Sequence, residues 1–514
     1  MSRAKRETDV APLRLPDMDD SKADAPLGPL AASLLVAFTS GAILVLEILS
    51  LRLVAPYVGL TLQTSTAVIG FALAAISTGA WIGGRAADRF EPIRLLGPTV
   101  LSAGALMLLV GPVVRATGEQ VRGGETSAVL VIAALAVFAP ASLLSAVTPM
   151  VVKLRLGALT ETGTVVGRLS GIATLGALIA TFATGFLLVA AMPTSVILLA
   201  LGGCLLVIGA ALVFRRPGVR SLGAGVVLAL FGTGSLLAAS PACDVETAYH
   251  CARVVRDEVR PSGRVLQLDT LFHSYVDLED PRHLEFSYIR AIASVLDAAV
   301  DERSPRVLHL GGGGLTLPRY LAATRPGSQS LVLEIDGGVV ELDRDRLGLE
   351  LGDGIEVRVQ DARVGLARES SGGRDFVVGD AFGGLSVPWH LTTVEVVRDV
   401  DRVLTDDGLY ALNVIDYPPL DFARAEVATI KEVFPHVALI ARPEVLERSD
   451  GGNLVIVASK QPLPVDELST ELDDRAPELD LLSGPSVDSF VGDAQVLTDD
   501  YAPVDQLLTT HPGP

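Results

Sequence analysis

Four consecutive glycines, Gly311 to Gly314, stand between the apolar run VLHL and a segment with a helical pattern. Glycine tolerates positive φ and lets the backbone approach a ligand closely, and a following helix directs its first N–H groups to the same point. Glu334 lies 23 residues after Gly311, at the end of the next apolar run, where a carboxylate can bind the two hydroxyls of a ribose. Since Thr316 breaks the GxGxxG spacing of dinucleotide-binding loops, we expect a nucleoside pocket without a pyrophosphate. The alternative is a glycine turn with only a structural role.

Two aspartates follow later apolar runs. Asp361 comes after IEVRVQ, at the edge where a doubly wound sheet presents side chains to its ligand crevice, and can accept a hydrogen bond from an adenine amino group. Asp380 closes the run DFVVGD, where a carboxylate can orient and deprotonate an amine that attacks an electrophilic carbon. The alternatives are a surface helix cap for Asp361 and a cap or an ion pair for Asp380.

The elements that must position these residues begin near Pro241. RVLQLDT and SYVDLED predict a small antiparallel element within residues 241–290. RVLHL, SLVLEID, IEVRVQD, DFVVGDAF and LYALNVID are apolar strands separated by helical stretches, which indicates a parallel sheet with helices on both faces over residues 291–514. HVALIA and NLVIVAS, joined by a polar segment, predict an antiparallel edge, as in methyltransferase-like sheets.

The first 240 residues have a different character. Residues 1–28 are polar and predict a disordered cytoplasmic tail. Residues 29–240 contain apolar runs near or above the ~20 residues that a helix needs to cross a bilayer. The predicted spans number seven: 29–55, 63–83, 95–114, 127–152, 165–192, 194–214 and 221–240. The chain is therefore expected to be a multi-pass membrane protein whose partner is the lipid bilayer.

Charge is divided unevenly between the two parts. Residues 1–240 hold 17 Lys and Arg against 12 Asp and Glu, whereas residues 241–514 hold 24 against 48, so nucleic acid is not expected as a partner of the second part. With the N-terminus inside, 14 of the 17 basic residues fall in inner segments. An odd number of spans then places the C-terminal domain on the extracytoplasmic side.

Three further residues concern the bundle and the segment after it. Glu47, in the first apolar run, is expected to face a polar cavity or a partner; neutral burial or a pair with Arg52 is the alternative. Cys243 and Cys251 would be free thiols in a cytosolic domain, whereas on the outer side a local disulfide between them is plausible. The cysteines have no CxxC spacing, and we expect no metal site.

Together these pieces resemble a known family. GGGGLTLPRYL, LEID, QDAR, FVVGDAF, VPWHLTT and the terminal LTDDYAPVDQLL resemble the spermidine synthase (polyamine aminopropyltransferase) family. With its apolar first half, the chain resembles membrane-fused spermidine synthase-like proteins over about residues 30–510, and GGRAADRF resembles an inner loop of major-facilitator-type transporters.

The resemblance implies a methyltransferase-like sheet and transfer of an aminopropyl group from decarboxylated S-adenosylmethionine to an amine, or of a methyl group from S-adenosylmethionine. The residues implied as donor contacts are Gly311, Gly313, Glu334 and Asp361. Asp380 is implied as the catalytic base and, with Tyr288, as a substrate contact.

The chain departs from the family pattern at two places. Leu315 stands where the loop usually has another glycine, and Ile289 and Arg290 follow Tyr288 where the soluble enzymes have His and Glu. A guanidinium in place of a carboxylate opposes a polyamine cation. Two functions therefore stay open: a membrane-bound aminopropyltransferase-like enzyme, and a catalytically degenerate extracytoplasmic binding module on a transporter-like bundle.

Overall fold

The computed structural model describes residues 27–58, 62–121, 126–156, 162–214, 243–299, 304–352, 354–384 and 386–509. Within these ranges, a bundle of long helices precedes a small four-stranded sheet and an eight-stranded sheet with helices on both faces. The predicted fold class, a helical bundle followed by a methyltransferase-like α/β domain, is confirmed.

The helices of the bundle follow the predicted apolar runs. In the described ranges they are α1 Pro29–Val58, α2 Leu62–Arg89, α3 Pro92–Val121, α4 Thr126–Arg155, α5 Thr162–Ala183 and α6 Thr194–Phe214. A π-helical turn, Thr184–Leu188, and a short helical piece, Val189–Ala191, extend α5. These helices give six candidate membrane spans, judged by length and composition. The seventh predicted run, 221–240, lies outside the described residues.

Close contacts between helices fix their relative directions. Gly104 of α3 lies against Leu205 of α6, and Gly97 lies against Val213, so these two helices are antiparallel. Equivalent contacts show that α1 is parallel to α5 and that α2 is parallel to α4.

The bundle consequently has two distinct ends. Arg52 and Thr194 mark one, which we call the domain end. Arg155, which donates to the Leu27 carbonyl, and the pair of Lys153 with Asp88 mark the other, which we call the basic end. The α/β domain begins at the domain end, where Glu246 contacts both Arg52 and Thr194. Because α6 leads away from that end, its last residue, Phe214, lies about 30 Å from Thr194.

The small sheet is antiparallel, with the order β1-β2-β3-β4. Its strands are β1 Val245–Glu246, β2 Cys251–Arg256, β3 Gly263–Leu268 and β4 Leu271–Asp277. It corresponds to the small β element predicted for residues 241–290. Its apolar face packs on the first helix after β6 of the large sheet through Leu266, Val276 and Val339.

The large sheet has the order β12-β10-β11-β9-β8-β5-β6-β7. Its strands are β5 Arg306–Leu310, β6 Gln329–Glu334, β7 Ile355–Val359, β8 Arg374–Gly379, β9 Leu404–Asp416, β10 His436–Ala441, β11 Gly452–Ser459 and β12 Asp480–Ser483. Strands β5 to β9 pair in parallel, and β10, β11 and β12 add antiparallel pairings, so the predicted parallel sheet with an antiparallel edge is confirmed. The sequence did not predict β12.

Helices cover both faces of this sheet. They are α7 Ser287–Ala299, α8 Thr316–Thr324, α9 Gly337–Arg346, α10 Ala362–Arg368, α11 Val394–Val403, α12 Asp421–Lys431, α13 Pro443–Leu446, α14 Val465–Arg475, α15 Pro485–Val491 and α16 Val504–Leu507. Along β9, Tyr410 and Leu412 pack in one core while Leu409 and Ala411 pack in the other. The same alternation puts Asn413 on the face of Leu409, near the carboxyl edge of the parallel strands.

Candidate functional site

A cavity of about 540 Å³ opens at the carboxyl edge of the parallel strands. The predicted residues Gly311, Gly313, Glu334, Asp361, Asp380 and Tyr288 all line it. Four of the loops that follow parallel strands thus converge on one space, as expected for a doubly wound sheet. The small sheet and α7 supply the opposite wall.

The glycine loop runs between β5 and α8 and is shaped by two close approaches. Gly311 has φ +93°, and a Cβ there would lie 2.4 Å from the carbonyl oxygen of Asp380. Gly313 has φ +48°, and a Cβ there would lie 2.5 Å from the Ser274 hydroxyl. Larger residues would push the loop away from β8 and from the small sheet. The loop therefore requires glycine at both predicted positions.

Leu315, the departure from the family loop, adopts the conformation that glycine favours. Its φ is +54°, in the left-handed region. Its side chain is fully buried and packs with Val332 and Val340. The strain of a left-handed leucine, on the order of 1–3 kcal/mol, is offset by this burial. Leu315 therefore fits this left-handed position of the loop although it is not a glycine.

Glu334 stands at the end of β6 and holds the loop. Its Oε2 accepts a hydrogen bond from the Gly312 N–H at 2.9 Å, and its Oε1 accepts one from the Asp336 N–H at 2.9 Å. Burial raises the pKa of its carboxyl group, and the backbone donors act in the opposite direction. A carboxylate fixed in this way beside the cavity is suited to accept hydrogen bonds from ligand hydroxyls.

Asp361 caps a helix and also lines the cavity. It caps α10 by accepting from the Val364 N–H at 3.0 Å, which is the structural alternative. Its other oxygen lies 3.0 Å from Nε2 of His390, and both side chains line the cavity. The carboxylate is therefore oriented by two partners at the cavity wall, and its contact with an adenine amino group stays a prediction.

Asp380 directly follows β8, and within the described part of the chain the side chains that bond its carboxylate are neutral. Tyr288 donates to its Oδ2 at 3.2 Å, and Asn413 Nδ2 donates to its Oδ1 at 3.0 Å. Burial raises its pKa to about 6, while these two hydrogen bonds lower it. The ion pair considered as an alternative belongs instead to Asp375, which pairs with Arg306. Asp380 thus has a pKa suited to a general base near neutral pH.

Arg290 lines the cavity, but its charge is compensated. It forms a salt bridge with Glu478, and its Nη1 donates to the carbonyl of Arg475 at 3.3 Å. Glu478 also lines the cavity. The opposition to a cationic substrate that the sequence predicted from Arg290 alone is therefore weakened by Glu478.

Among the described residues, sequence reasoning missed three that line the cavity and have a buried polar atom without a partner, namely Asn413, His273 and Asn453. Asn413 is 1% exposed, and because its Nδ2 must face the Asp380 carboxylate, its buried Oδ1 is left without a partner. His273 has a buried, unpartnered Nε2, and burial lowers its pKa to about 4. Unpartnered buried atoms of this kind are uncommon, and they mark this part of the wall as a candidate ligand-contact region. A polar residue inside the apolar strand LYALNVID was the available signal for Asn413.

A second histidine lies near the bundle. Nδ1 of His250 is 2.9 Å from Asp269, which also accepts from the Cys251 N–H at 3.0 Å. Burial acts to lower the pKa of His250, but the hydrogen bond and charge of Asp269 raise it overall. The structure joins Cys251 to Cys243 by a disulfide, with Cα atoms 5.2 Å apart. This disulfide closes the loop that carries His250.

The remaining predicted residue, Glu47, lies in α1 and not in the cavity wall of the α/β domain. It is half-buried. Its alternative partner Arg52 pairs with Glu246. A polar environment for Glu47 therefore stays a prediction.

Comparison with known proteins places relatives on the second half of the chain. No family model matches. A polyamine aminopropyltransferase of Vibrio vulnificus is 28% identical over 248 residues, which are 45% of this chain and 79% of the relative. An N-terminal histidine N-methyltransferase of Emericella nidulans is 28% identical over 193 residues, 36% of this chain and 34% of the relative. Among solved structures, a probable spermidine synthase of Corynebacterium glutamicum has 30% identity and a TM-score of 0.47, covering 51% of this chain and 97% of its own.

Proposed function

We propose, since the chain belongs to the spermidine synthase (polyamine aminopropyltransferase) family of transferases, that its α/β domain alkylates an amine with a group taken from an S-adenosylmethionine-type donor. The observation that carries the proposal is the placement of Asp380. Its backbone carbonyl packs against Gly311, where a Cβ would lie 2.4 Å from the carbonyl oxygen. Its carboxylate is held by Tyr288 and Asn413 in the same cavity. A base is thereby set beside the loop that would hold the donor.

The cavity wall fits a donor of this class. Gly311 and Gly313 let the loop pack closely on β8 and the small sheet while lining the cavity, Glu334 presents a fixed carboxylate for ribose hydroxyls, and Asp361 offers a carboxylate to an adenine amino group. When bound, such a donor supplies a carbon attached to a positively charged sulfur, and the carbon–sulfur bond breaks with its electron pair remaining on sulfur as nitrogen attacks.

The chain's own groups then handle the amine. The carboxylate of Asp380, held by Tyr288 and Asn413, can accept a hydrogen bond from an amine nitrogen and orient the nitrogen lone pair toward the donor. As the new carbon–nitrogen bond forms, Asp380 accepts the proton that the nitrogen loses. Tyr288 keeps the carboxylate oriented through its hydroxyl.

The charge of the wall favours cationic ligands. Among the described residues that line the cavity, the carboxylates are Glu285, Glu334, Asp361, Asp380 and Glu478, against one guanidinium, Arg290. A sulfonium donor and an ammonium-bearing acceptor are both attracted by this excess. We propose a primary amine as the acceptor and an aminopropyl group as the transferred unit, with methyl transfer as the variant that the Emericella relative favours.

We further propose that the protein is a multi-pass membrane protein with its α/β domain on the extracytoplasmic side. The described helices are long and apolar enough to span a bilayer. The domain meets the bundle at the end opposite Lys153 and Arg155, and basic residues favour the cytoplasmic side. The disulfide of Cys243 with Cys251 supports the same side. This location would separate the cavity from cytosolic S-adenosyl compounds.

The activity is tested with the full chain in lipid nanodiscs. Isothermal titration with S-adenosylmethionine, its decarboxylated form and S-adenosylhomocysteine measures binding, and mass spectrometry of a primary-amine panel detects transfer. We expect binding by the wild type and by Asp380→Asn, but transfer by the wild type only. Absence of binding at millimolar ligand would refute the proposal. Binding without transfer to any amine would favour the degenerate binding module.

The location is tested separately. A reporter that is active in only one compartment, fused after residue 514, should report the extracytoplasmic side. A fusion placed after residue 156, at the basic end, should report the opposite side and serves as the matched control. If both fusions report the cytoplasm, the proposed location is wrong while the activity can still stand.

A further inference from the structure

Arg52 of α1 makes several hydrogen bonds to the first loop of the α/β domain, and Thr194 contacts the same loop. Nη1 of Arg52 donates to the carbonyl of Ala248 at 2.6 Å, and Nη2 donates to the carbonyl of Thr247 and lies 3.4 Å from Glu246. Glu246 in turn accepts from the backbone N–H of Thr194 at 3.1 Å, at the start of α6. An anion at a helix N-terminus and a half-buried ion pair both favour this arrangement.

The same loop also bonds to Asp336, which in turn bonds to the cavity residue Glu334. The buried hydroxyl of Thr247 donates to Asp336, and a Cβ on Gly338 would lie 2.8 Å from Thr247. Asp336 caps α9 by accepting from the Gly338 N–H at 3.0 Å, and its own N–H donates to Glu334 at 2.9 Å. Hydrogen bonds therefore connect Arg52 to Glu334 through Thr247 and Asp336.

We propose that Arg52 is a positioning residue for donor binding, because it holds Thr247 where that residue fixes Asp336 and so orients the Glu334 carboxylate toward the cavity. This inference rests on the proposed function, in which Glu334 contacts the donor. It adds to that function a role for the membrane bundle: Arg52, near the domain end of α1, supports the donor side of the cavity from outside the α/β domain.

If Arg52 only attached the domain to the bundle, it would not need this number of directed hydrogen bonds. Arg52 uses both terminal nitrogens and Nε, the last donating to the Thr194 hydroxyl at 3.3 Å. Two of its acceptors are consecutive carbonyls, which fixes the backbone conformation of the loop as well as its distance from the bundle. A lysine keeps the charge for Glu246 but cannot offer the same planar set of donors. Comparing lysine with arginine at this position therefore separates the charge attraction to Glu246 from the orientation of the loop backbone.

The test compares full-length variants in nanodiscs. Arg52→Gln removes the charge and most donors, and Arg52→Lys keeps the charge. Arg155→Gln is the matched control, since Arg155 also donates to a backbone carbonyl, that of Leu27, but at the basic end. The measurements are the affinity for S-adenosylhomocysteine, the thermal midpoint of the α/β domain, and hydrogen exchange of the segment 244–252.

We expect Arg52→Gln to speed exchange in 244–252 and to weaken S-adenosylhomocysteine binding roughly tenfold, as for loss of a charge-assisted hydrogen bond, with the thermal midpoint unchanged. Arg52→Lys should recover part of the affinity, and Arg155→Gln should match the wild type. Unaltered affinity in a folded Arg52→Gln protein would overturn the inference. So would a loss of affinity that merely follows a lowered thermal midpoint.

The same experiment separates this inference from the proposed function. If the wild type binds no adenosyl ligand, the proposed function fails and donor positioning fails with it. If the wild type binds and Arg52→Gln binds equally well, only the positioning role is refuted.

Discussion

Replacing Asp380 by asparagine should stabilise the α/β domain while it removes catalysis. Burial holds the pKa of Asp380 at about 6, above its ordinary value of 3.8. The folded protein therefore binds this proton more tightly than the unfolded chain does. The tighter proton binding therefore contributes fully to the free energy of unfolding below about pH 4, and this contribution is lost as the pH rises through about 6. Asparagine avoids the loss because it never ionises.

The magnitude follows from the pKa. Each pKa unit corresponds to about 1.4 kcal/mol, so the buried charge lowers the free energy of unfolding by at most about 3 kcal/mol at pH 8. For a domain of this size, about 1 kcal/mol changes the thermal midpoint by roughly 2–4 °C, so Asp380→Asn should raise it by about 6–12 °C. The difference should shrink between pH 6 and pH 4, where both side chains are neutral.

The assay uses tryptophan fluorescence. The chain has two tryptophans, Trp81 in α2 and Trp389 beside the cavity. In a Trp81→Phe background, Trp389 reports the α/β domain alone. Transfer activity should fall by about 10²–10⁴-fold if Asp380 is the general base. A midpoint at pH 8 equal to or below that of wild type, or a difference that does not vary with pH, would refute the account of a desolvated carboxylate.

Three further perturbations have defined outcomes. Gly311→Ala should abolish S-adenosylhomocysteine binding in a titration, because its Cβ would lie 2.4 Å from a carbonyl oxygen at φ +93°; Gly383→Ala, whose Cβ would be 3.8 Å from its nearest neighbour, should bind normally. Tyr288→Phe removes a hydrogen bond that lowers the pKa of the candidate base, so the midpoint of the acid limb of the pH–rate profile should move upward; an unchanged midpoint would contradict this. Replacing Cys243 and Cys251 by serine should destabilise the domain by about 2–3 kcal/mol for so short a loop, measured as a lower thermal midpoint that dithiothreitol no longer alters. Equal midpoints for the two proteins without reductant would contradict it.

Much of the fold could be predicted because its signals are local. The apolar runs of the bundle and the strand runs of the large sheet are continuous in sequence, and strand alternates with helix. β12, Asp480–Ser483, gives no such signal, since its four residues are DLLS and its place is set by pairing with β10. A short edge strand is defined by its neighbour more than by its own composition.

The same distinction applies to the site. Gly311, Glu334, Asp361 and Asp380 each lie at the carboxyl end of a parallel strand or within two residues after it, so strand order alone brings them to one edge. His273 could not be found in this way. It lies on the small sheet, where a register irregularity between Leu266 and Gln267 precedes it, and only the packing of that sheet against the glycine loop brings it to the cavity.

The left-handed leucine of the glycine loop affects how such loops should be recognised. A glycine in a sequence pattern states a requirement on a torsion angle, and Leu315 meets that requirement at φ +54° with a side chain that the core accepts. A sequence motif that requires glycine at that position is not matched by this chain, whereas a criterion based on a left-handed backbone angle is met. When a chain lacks a glycine that a loop pattern expects, the backbone angle and the burial of the substituted residue should therefore be checked before the pocket is dismissed as lost.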